Sequence, residues 1–180
     1  MRIIAGEARG RRIDAPAGRN TRPTLDRVRE NLFNILQNRL IGRTVLDLFA
    51  GSGALSLEAI SRGAAFAVMV DSSREAHRVQ MRNTEGLGFS DRAEILLCDW
   101  HQAVSRLKSE GRTFDLVFLD PPYSMTDLQE VFRAIHPLLS ADGLVILEHE
   151  AGVQPMTGDT LRKTDERKWG FCAVTFFTEA

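Results

Sequence analysis

The chain has 180 residues, of which 43% are hydrophobic and 26% charged, a composition that suits one globular domain with a substantial core. No apolar run approaches the roughly 20 residues that a membrane-spanning helix needs, and the first residues lack the apolar stretch of a signal peptide. The two cysteines, Cys98 and Cys172, have no metal-ligand spacing, so we expect free thiols in apolar strands of a cytoplasmic protein.

The first part of the chain has a charge opposite to that of the rest. Residues 1–43 contain ten arginines and four acidic residues, a net charge of +6, whereas residues 44–180 have a net charge of −7. Arginine forks match phosphate oxygens and stack on bases, so this basic arm favours a nucleic-acid partner. A solvated arm without a ligand is the alternative. Within it, RIIAG and RRIDAP are predicted as short strands and residues 24–39 as a helix that Thr24 caps.

From residue 44 onward, apolar strands alternate with helical patterns. The predicted strands cover residues 44–49, 65–71, 93–99, 114–120 and 143–150, and the predicted helices cover residues 54–61, 73–85, 101–109 and 127–139. This alternation predicts an α/β fold with a doubly wound, Rossmann-like, mostly parallel sheet. Two further strands around the turn at 167–170 predict an antiparallel C-terminal hairpin. We therefore divide the chain into a basic N-terminal extension, 1–43, and one α/β domain, 44–180.

Four consecutive strands of the predicted sheet end with an acidic residue at or near the tip: Asp47, Asp71, Asp99 and Asp120. Ligands of such sheets bind outside the carboxyl ends of the strands, so four carboxylates on one rim predict a site for hydroxyl, amino or ammonium groups. For Asp71 and Asp99 a helix N-cap is an equally good interpretation.

The first strand runs into a glycine turn, Ala50-Gly51-Ser52-Gly53, that permits close approach of a cofactor. It is not a full dinucleotide fingerprint, because Ser56 stands at the third glycine position. An acid after the second strand suits the ribose of a nicotinamide cofactor and of an adenosyl cofactor equally.

The fourth strand ends in Asp120-Pro121-Pro122-Tyr123. Two prolines cannot continue a strand ladder, because neither has a backbone N–H. The Asp120 carboxylate and the Pro121 carbonyl are two acceptors that could orient an exocyclic amino group for attack on an activated methyl group. Tyr123 offers a face on which a base could stack. This tetrapeptide favours an amino-methyltransferase over an oxidoreductase, and a plain turn is the alternative.

These motifs resemble a known family. The stretch VLDLFAGSGALSLEAISRGA (45–64) together with DPPY (120–123) resembles class I S-adenosylmethionine-dependent methyltransferases that act on exocyclic amino groups. The segments RIIAGEARGRRIDAP (2–16) and TRPTLDRVRENLFNIL (21–36) resemble the bacterial 16S rRNA guanine-N2 methyltransferases of the RsmD type. The likeness covers nearly the whole chain.

The resemblance implies methyl transfer from S-adenosylmethionine to one guanine N2 of 16S rRNA in a late or fully assembled small ribosomal subunit. Because the sulfonium is already activated, we expect direct transfer without a metal, and a monomer is the default for an enzyme that docks on a large particle. The resemblance assigns three sets of residues. The guanine is bound by Asp120, Pro121, Pro122 and Tyr123. The cofactor is bound by Asp47, Phe49, Gly51, Gly53, Asp71, Asp99 and Trp100. The RNA is contacted by Arg2, Arg9, Arg11, Arg12, Arg22, Arg27 and Arg29.

Some of these interpretations have alternatives. Arginines of the 24–39 helix could pair with Asp26 or Glu30 instead of RNA, and Trp100 could simply pack in the core. The substrate could be adenine N6 in DNA or RNA, or a protein amide. A noncatalytic RNA-binding assembly factor is an alternative of another class. For Glu148-His149-Glu150 we expect a solvated strand end and predict no function.

Overall fold

The computed structural model describes residues 1–17, 23–122, 125, 128–155 and 158–180, with the backbone alone for residues 23–25. The helices are α1 (Pro23–Leu36), α2 (Ala54–Ser61), α3 (Arg74–Leu87), α4 (Trp100–Ser109) and α5 (Leu128–Ile135). The strands are β1 (Thr44–Asp47), β2 (Phe66–Asp71), β3 (Ala93–Leu97), β4 (Phe114–Leu119), β5 (Leu139–Glu150), β6 (Leu161–Trp169) and β7 (Cys172–Glu179). No helix within these ranges is long and apolar enough to cross a bilayer.

The seven strands form one sheet in the order β3-β2-β1-β4-β5-β7-β6. Strands β1 to β5 are parallel, and β7 lies antiparallel between β5 and β6. The predicted α/β fold, with its mostly parallel sheet and C-terminal antiparallel hairpin, is therefore confirmed. The chain order reverses where β1 meets β4, so the carboxyl ends of these two strands mark the place where such sheets bind ligands.

Apolar side chains cover both faces of the sheet. One face packs α1, α2 and the N-terminal segment (residues 1–17) onto residues such as Val45, Phe118 and Ile146. The opposite face packs α4 and α5 onto residues such as Leu46 and Val117. Neighbouring residues of a strand point to opposite faces, so these strands are apolar without interruption.

Helix α5 is shorter than the sequence pattern predicts. The expected helix ran from about residue 127 to 139, whereas α5 ends at Ile135 and a 3-10 turn, His136–Leu138, follows it. Pro137 disfavours the α conformation at His136, so the helix ends before the proline. Strand β5 then begins at Leu139, with a register irregularity between Phe114 and Leu116 of β4.

The N-terminal segment packs against α2. Its two predicted strands are replaced by one isolated antiparallel bridge between Arg2 and Arg12. Ile3 is 0% exposed and Ile13 is 3% exposed, and both belong to the same apolar cluster as Val45 of β1. Residues 1–17 and α1 thus contribute side chains to the core of the α/β domain, and the boundary at residue 43 stays a proposal about function.

Glu58 of α2 anchors this segment. Its carboxylate is 0% exposed and accepts hydrogen bonds from the backbone N–H groups of Ile4 (2.8 Å) and Ala5 (3.0 Å) and from Nε of Arg62 (2.7 Å). A buried carboxylate is stable only when it is paired and hydrogen-bonded, and these three donors meet that need. The sequence pattern gave no sign of this role, because a single acidic residue in a helix does not show which segment will pack against it.

Candidate active site

The glycine loop after β1 requires residues without a side chain. Gly51 and Gly53 both have positive φ angles, 56° and 79°. A Cβ added at Gly53 would lie 2.6 Å from Sδ of Met69 in β2. The Leu48 and Ala50 backbone N–H groups donate to strands β4 and β2, so the loop turns closely over the end of the sheet.

Side chains of α3 hold this loop from below. Gln80 Nε2 donates to the Gly51 carbonyl and Asn83 Nδ2 donates to the Ser52 carbonyl, each at 3.0 Å. Asn83 also exchanges hydrogen bonds with the backbone of Asp14, which links the N-terminal segment to the loop. Sequence reasoning missed both residues; the available signal was two polar residues, three positions apart, on the buried side of an amphipathic helix.

Asp47 is a buried carboxylate at the end of β1. It is 1% exposed, and Ser56 Oγ donates to its Oδ2 at 3.0 Å. Its Oδ1 has no hydrogen-bond partner within the described ranges. Burial, opposed by the hydrogen bond from Ser56 and aided by the nearby charge of Asp71, raises the pKa of Asp47 to about 7. An unpartnered acceptor at the wall of a cavity is suited to a donor or a cation from a ligand.

The loop borders a cavity of about 460 Å³ at the carboxyl ends of β1, β4 and β5. This volume lies in the range of small-molecule sites. Five residues of the predicted site line this cavity: Asp47, Phe49, Asp120, Pro121 and Pro122. The remaining lining residues are Met1, Ala15, Pro16, Asp26, Arg29, Leu32, Ala50, Ser52, Ala54, Leu55 and Glu148.

The tip of β4 forms one wall of this cavity. Asp120 and Pro121 are half-buried and Pro122 is exposed, and the Pro122 carbonyl accepts a hydrogen bond from the Met125 backbone at 2.8 Å. Because the prolines cannot donate to β1 or β5, the chain leaves the sheet here and follows the cavity rim. Tyr123 lies outside the described residues.

Five predicted cofactor residues do not line the cavity: Gly51 and Gly53 of the loop, and Asp71, Asp99 and Trp100. Asp71 accepts hydrogen bonds from the backbone of Gly51 and of Ser73, both at 2.9 Å, so it holds the glycine loop. A carboxylate has about four lone-pair sites, which leaves acceptor capacity for a ribose hydroxyl. Asp99 caps α4 through the Gln102 N–H at 3.0 Å. Trp100 is 9% exposed and packs in the apolar cluster of the opposite face, which matches the alternative of core packing.

The predicted RNA-binding arginines differ in their surroundings. Arg2, Arg9, Arg12 and Arg27 are exposed, and no ion pair involves them among the residues that the structure describes. Arg11 is exposed but donates to the Gly86 and Leu87 carbonyls at the end of α3. Arg22 lies outside the described residues.

Arg29 has a structural role. It is 5% exposed, and its guanidinium donates to the Arg2 carbonyl at 2.6 Å and to Asp26 at 3.0 Å. The expected pairing of a helix arginine with Asp26 is thereby confirmed. Because this guanidinium lies inside the protein, we remove Arg29 from the predicted RNA contacts.

Glu148 lines the cavity, although sequence reasoning assigned it no function. It is half-buried, and burial raises its pKa. The expected solvated strand end holds for exposed Glu150 but is wrong for Glu148 and His149, which are half-buried and hydrogen-bond to Cys172 and Thr175 of β7.

The comparisons with known proteins agree on one family. Residues 1–178 match the family described as conserved hypothetical protein 95. A putative rRNA methyltransferase, YlbH, from Bacillus subtilis (strain 168) is 34% identical over 180 residues, which are 98% of each chain. Ribosomal RNA small subunit methyltransferase D from Escherichia coli (strain K12) is 37% identical over 152 residues, 83% of this chain and 75% of that protein.

A solved structure has the same architecture. The putative methyltransferase yhhF from Escherichia coli superposes with a TM-score of 0.84 at 33% identity. The match covers 99% of this chain and 97% of that chain, so it includes the N-terminal segment as well as the sheet.

Proposed function

The chain belongs to the family described as conserved hypothetical protein 95, and we propose that it methylates the exocyclic N2 of a guanine in 16S rRNA. The methyl donor is S-adenosylmethionine, and the substrate is the small ribosomal subunit. The enzyme would dock on this subunit as a monomer. One observation carries the proposal: the Asp120-Pro121-Pro122 tip and the glycine loop border the same cavity.

The residues of the cavity fit this cofactor. Asp47 provides a buried, unpartnered carboxylate oxygen for a cationic group, and the glycine loop provides backbone at close range. When bound, S-adenosylmethionine supplies a methyl group that its sulfonium centre has already activated. The chain then needs to bind, orient and exclude water rather than provide a nucleophile or a metal.

Orientation of the amino group falls to the tip of β4. The lone pair of an exocyclic amino nitrogen is delocalised into the base, so this nitrogen is a poor nucleophile. Acceptors on its two N–H bonds, the Asp120 carboxylate and the Pro121 carbonyl, would turn the lone pair toward the methyl group. Such positioning lowers the barrier without a covalent intermediate. A base has to leave its stack to reach this tip.

The product of the reaction tests this function. The protein is incubated with labelled S-adenosylmethionine and small ribosomal subunits from a strain that lacks the modification, and the RNA is digested to nucleosides. We expect the label in N2-methylguanosine. Label in N6-methyladenosine would contradict the guanine assignment, and cofactor binding without any methyl transfer to RNA would contradict the RNA substrate.

Cofactor affinity is expected to rise with pH up to about 7. The pKa of Asp47 is about 7 in the free protein. A cationic group of the cofactor beside the carboxylate would favour its ionised form and lower this pKa, so cofactor binding below pH 7 releases a proton. Below pH 7 the affinity should fall by up to about tenfold per pH unit. Calorimetry between pH 5.5 and 8.5 in two buffers of different ionisation enthalpy measures both effects. Asp47→Asn should abolish the dependence, and a flat wild-type profile would contradict the role of Asp47.

Arg2 and Arg12 of the N-terminal segment are expected to bind phosphate groups of the RNA. Arg2 and Arg12 face each other across their antiparallel bridge, both exposed, and like charges at such a position repel unless an anion lies between them. Arg2 also follows Met1, which lines the cavity. The double variant Arg2→Ala/Arg12→Ala should weaken binding to the subunit and reduce the slope of log K against log salt by about one per arginine.

Arg39→Ala is the matched control. Arg39 is exposed like Arg2 and Arg12, but it lies with Arg43 and Asp115 around a second cavity at the amino ends of the strands. Its removal should leave the salt slope unchanged. An equal loss per arginine removed in the two variants would mean that charge alone, rather than the N-terminal segment, determines binding.

A further inference from the structure

Glu148 lies beside Asp120, near the carboxyl ends of the neighbouring strands β5 and β4. Leu119 of β4 pairs with Leu147 of β5, so the residues that follow, Asp120 and Glu148, are neighbours in the parallel register. Side chains of residues that are neighbours in register point to the same face of the sheet, and both residues line the cavity. The cavity therefore has a second carboxylate next to the proposed amino-group clamp.

A thiol from the next strand orients this second carboxylate. Cys172 Sγ of β7 donates to Glu148 Oε1 at 3.4 Å. Burial and the neighbouring carboxylate raise the pKa of the Cys172 thiol, so the thiol keeps its proton and remains a donor. This hydrogen bond opposes the rise that burial produces in the pKa of Glu148, because it stabilises the ionised form. Cys172 is thus a positioning residue for an acceptor.

The bases differ in what lies next to their amino groups. In guanine, the amino group at C2 is adjacent to N1–H, a donor. In adenine and in cytosine, the ring nitrogen adjacent to the amino group is an acceptor. A carboxylate next to the clamp would accept a hydrogen bond from guanine N1–H, whereas it would repel the lone pair of adenine N1 or cytosine N3.

We propose that Glu148 selects guanine by accepting its N1–H while Asp120 and Pro121 hold N2, an inference that rests on the proposed function. The N1–H of a bound guanine would be a second donor to the Glu148 carboxylate, which already accepts a hydrogen bond from Cys172. Two donors favour the ionised form of Glu148. Glu148 determines specificity in direct contact with the base, and Cys172 acts through Glu148.

A base analogue isolates the proposed contact. 2-Aminopurine has the amino group and the N3 of guanine but an acceptor at N1 and no O6. Once the target position is mapped, small subunits are reconstituted from ligated 16S rRNA with guanine or 2-aminopurine there. The wild type should prefer guanine by about 100-fold in kcat/KM, since a hydrogen bond to a charged group is lost. Glu148→Gln should reduce this ratio to about tenfold or less, because an amide can also donate to an N1 acceptor.

Control variants separate this effect from misfolding. Glu150→Gln, at an exposed position two residues further along β5, should keep the wild-type ratio. Cys172→Ala should lower the ratio and Cys172→Ser should restore it, because the hydroxyl again provides a donor. Unchanged cofactor affinity and thermal unfolding in each variant show that the fold is intact.

The outcomes distinguish this inference from the proposed function. A wild type that methylates guanine N2 while Glu148→Gln keeps the wild-type ratio overturns the role of Glu148 alone. A wild type that leaves guanine-bearing subunits unmethylated overturns the proposed function, and this inference with it. A reduced ratio in Glu148→Gln, with the Ala and Ser variants of Cys172 ordered as stated, supports both.

Discussion

Asp120→Ala is expected to lower the rate constant of methyl transfer by about a thousandfold while cofactor affinity changes less than about threefold. Removal of one acceptor at a reacting centre costs on this order when it orients the reacting atom and has no replacement from water. Cofactor affinity is spared because the walls formed by the glycine loop and Asp47 do not depend on Asp120. Single-turnover methylation of small subunits and calorimetry with S-adenosylmethionine measure the two quantities separately.

Asp120→Asn refines this expectation. The amide keeps the shape and one acceptor oxygen but replaces the other with a donor, so we expect a loss of about a hundredfold, smaller than that of alanine. Asp142→Ala is the matched control, since this exposed aspartate lies near the amino end of β5, at the opposite edge of the sheet. Wild-type turnover of Asp120→Ala would show that the tip of β4 is a plain turn, and would remove the observation on which the proposed function depends.

The sheet could be predicted from the sequence because each parallel strand is an apolar run that ends at a turn residue or an acid. The same regularity located the tips of β1 and β4 together, since all parallel strands have their carboxyl ends at one edge. Helix α5 could have been bounded better, because Pro137 is visible in the sequence and its effect on His136 is local.

The contacts between distant segments could not be predicted in this way. Glu148 seemed to be an ordinary strand end, because only the pairing of β4 with β5 places it beside Asp120. Arg29 seemed to be one more exposed arginine, because its burial depends on the path of residues 1–17 over α1 and α2. Strand tips and loops are encoded locally, whereas these contacts depend on the register and on the packing of segments far apart in the chain.

The packing of the N-terminal segment leads to the second prediction: Gly6→Ala should undock this segment, whereas Gly10→Ala should not. The two glycines have nearly equal φ angles, 82° and 81°, so alanine meets the same backbone strain at both. A Cβ at Gly6 would lie 1.8 Å from the Ser61 carbonyl oxygen, and a Cβ at Gly10 would meet nothing within 4 Å. The pair thus separates steric overlap from backbone strain.

The expected cost follows from what the segment loses. Alanine in the left-handed region costs about 1–2 kcal/mol, which is the whole effect expected at Gly10. At Gly6 the overlap involves the backbone of Ser61, the last residue of α2, which cannot swing aside as the end of a flexible side chain could. The segment then gives up its hydrogen bonds to Ser61, such as those from Glu7 N (2.8 Å) and Ala8 N (3.0 Å), and its bonds to Glu58. Each lost hydrogen bond contributes about 0.5–1.5 kcal/mol, and about 1.5–3 kcal/mol when the acceptor is charged, so Gly6→Ala should cost at least about twice as much as Gly10→Ala.

Thermal unfolding and hydrogen exchange measure this difference. For a domain of this size, each kcal/mol lowers Tm by about 2–4 °C, so a drop of roughly 10 °C is expected for Gly6→Ala and at most half of that for Gly10→Ala. Exchange at the amides of Ile4, Ala5 and Ala8 should lose protection only in the Gly6 variant. Because Asp14 and Asn83 connect the segment to the glycine loop, cofactor affinity should fall when the segment undocks. Equal effects of the two variants would mean that the N-terminal segment contributes strain but no structural support to the site.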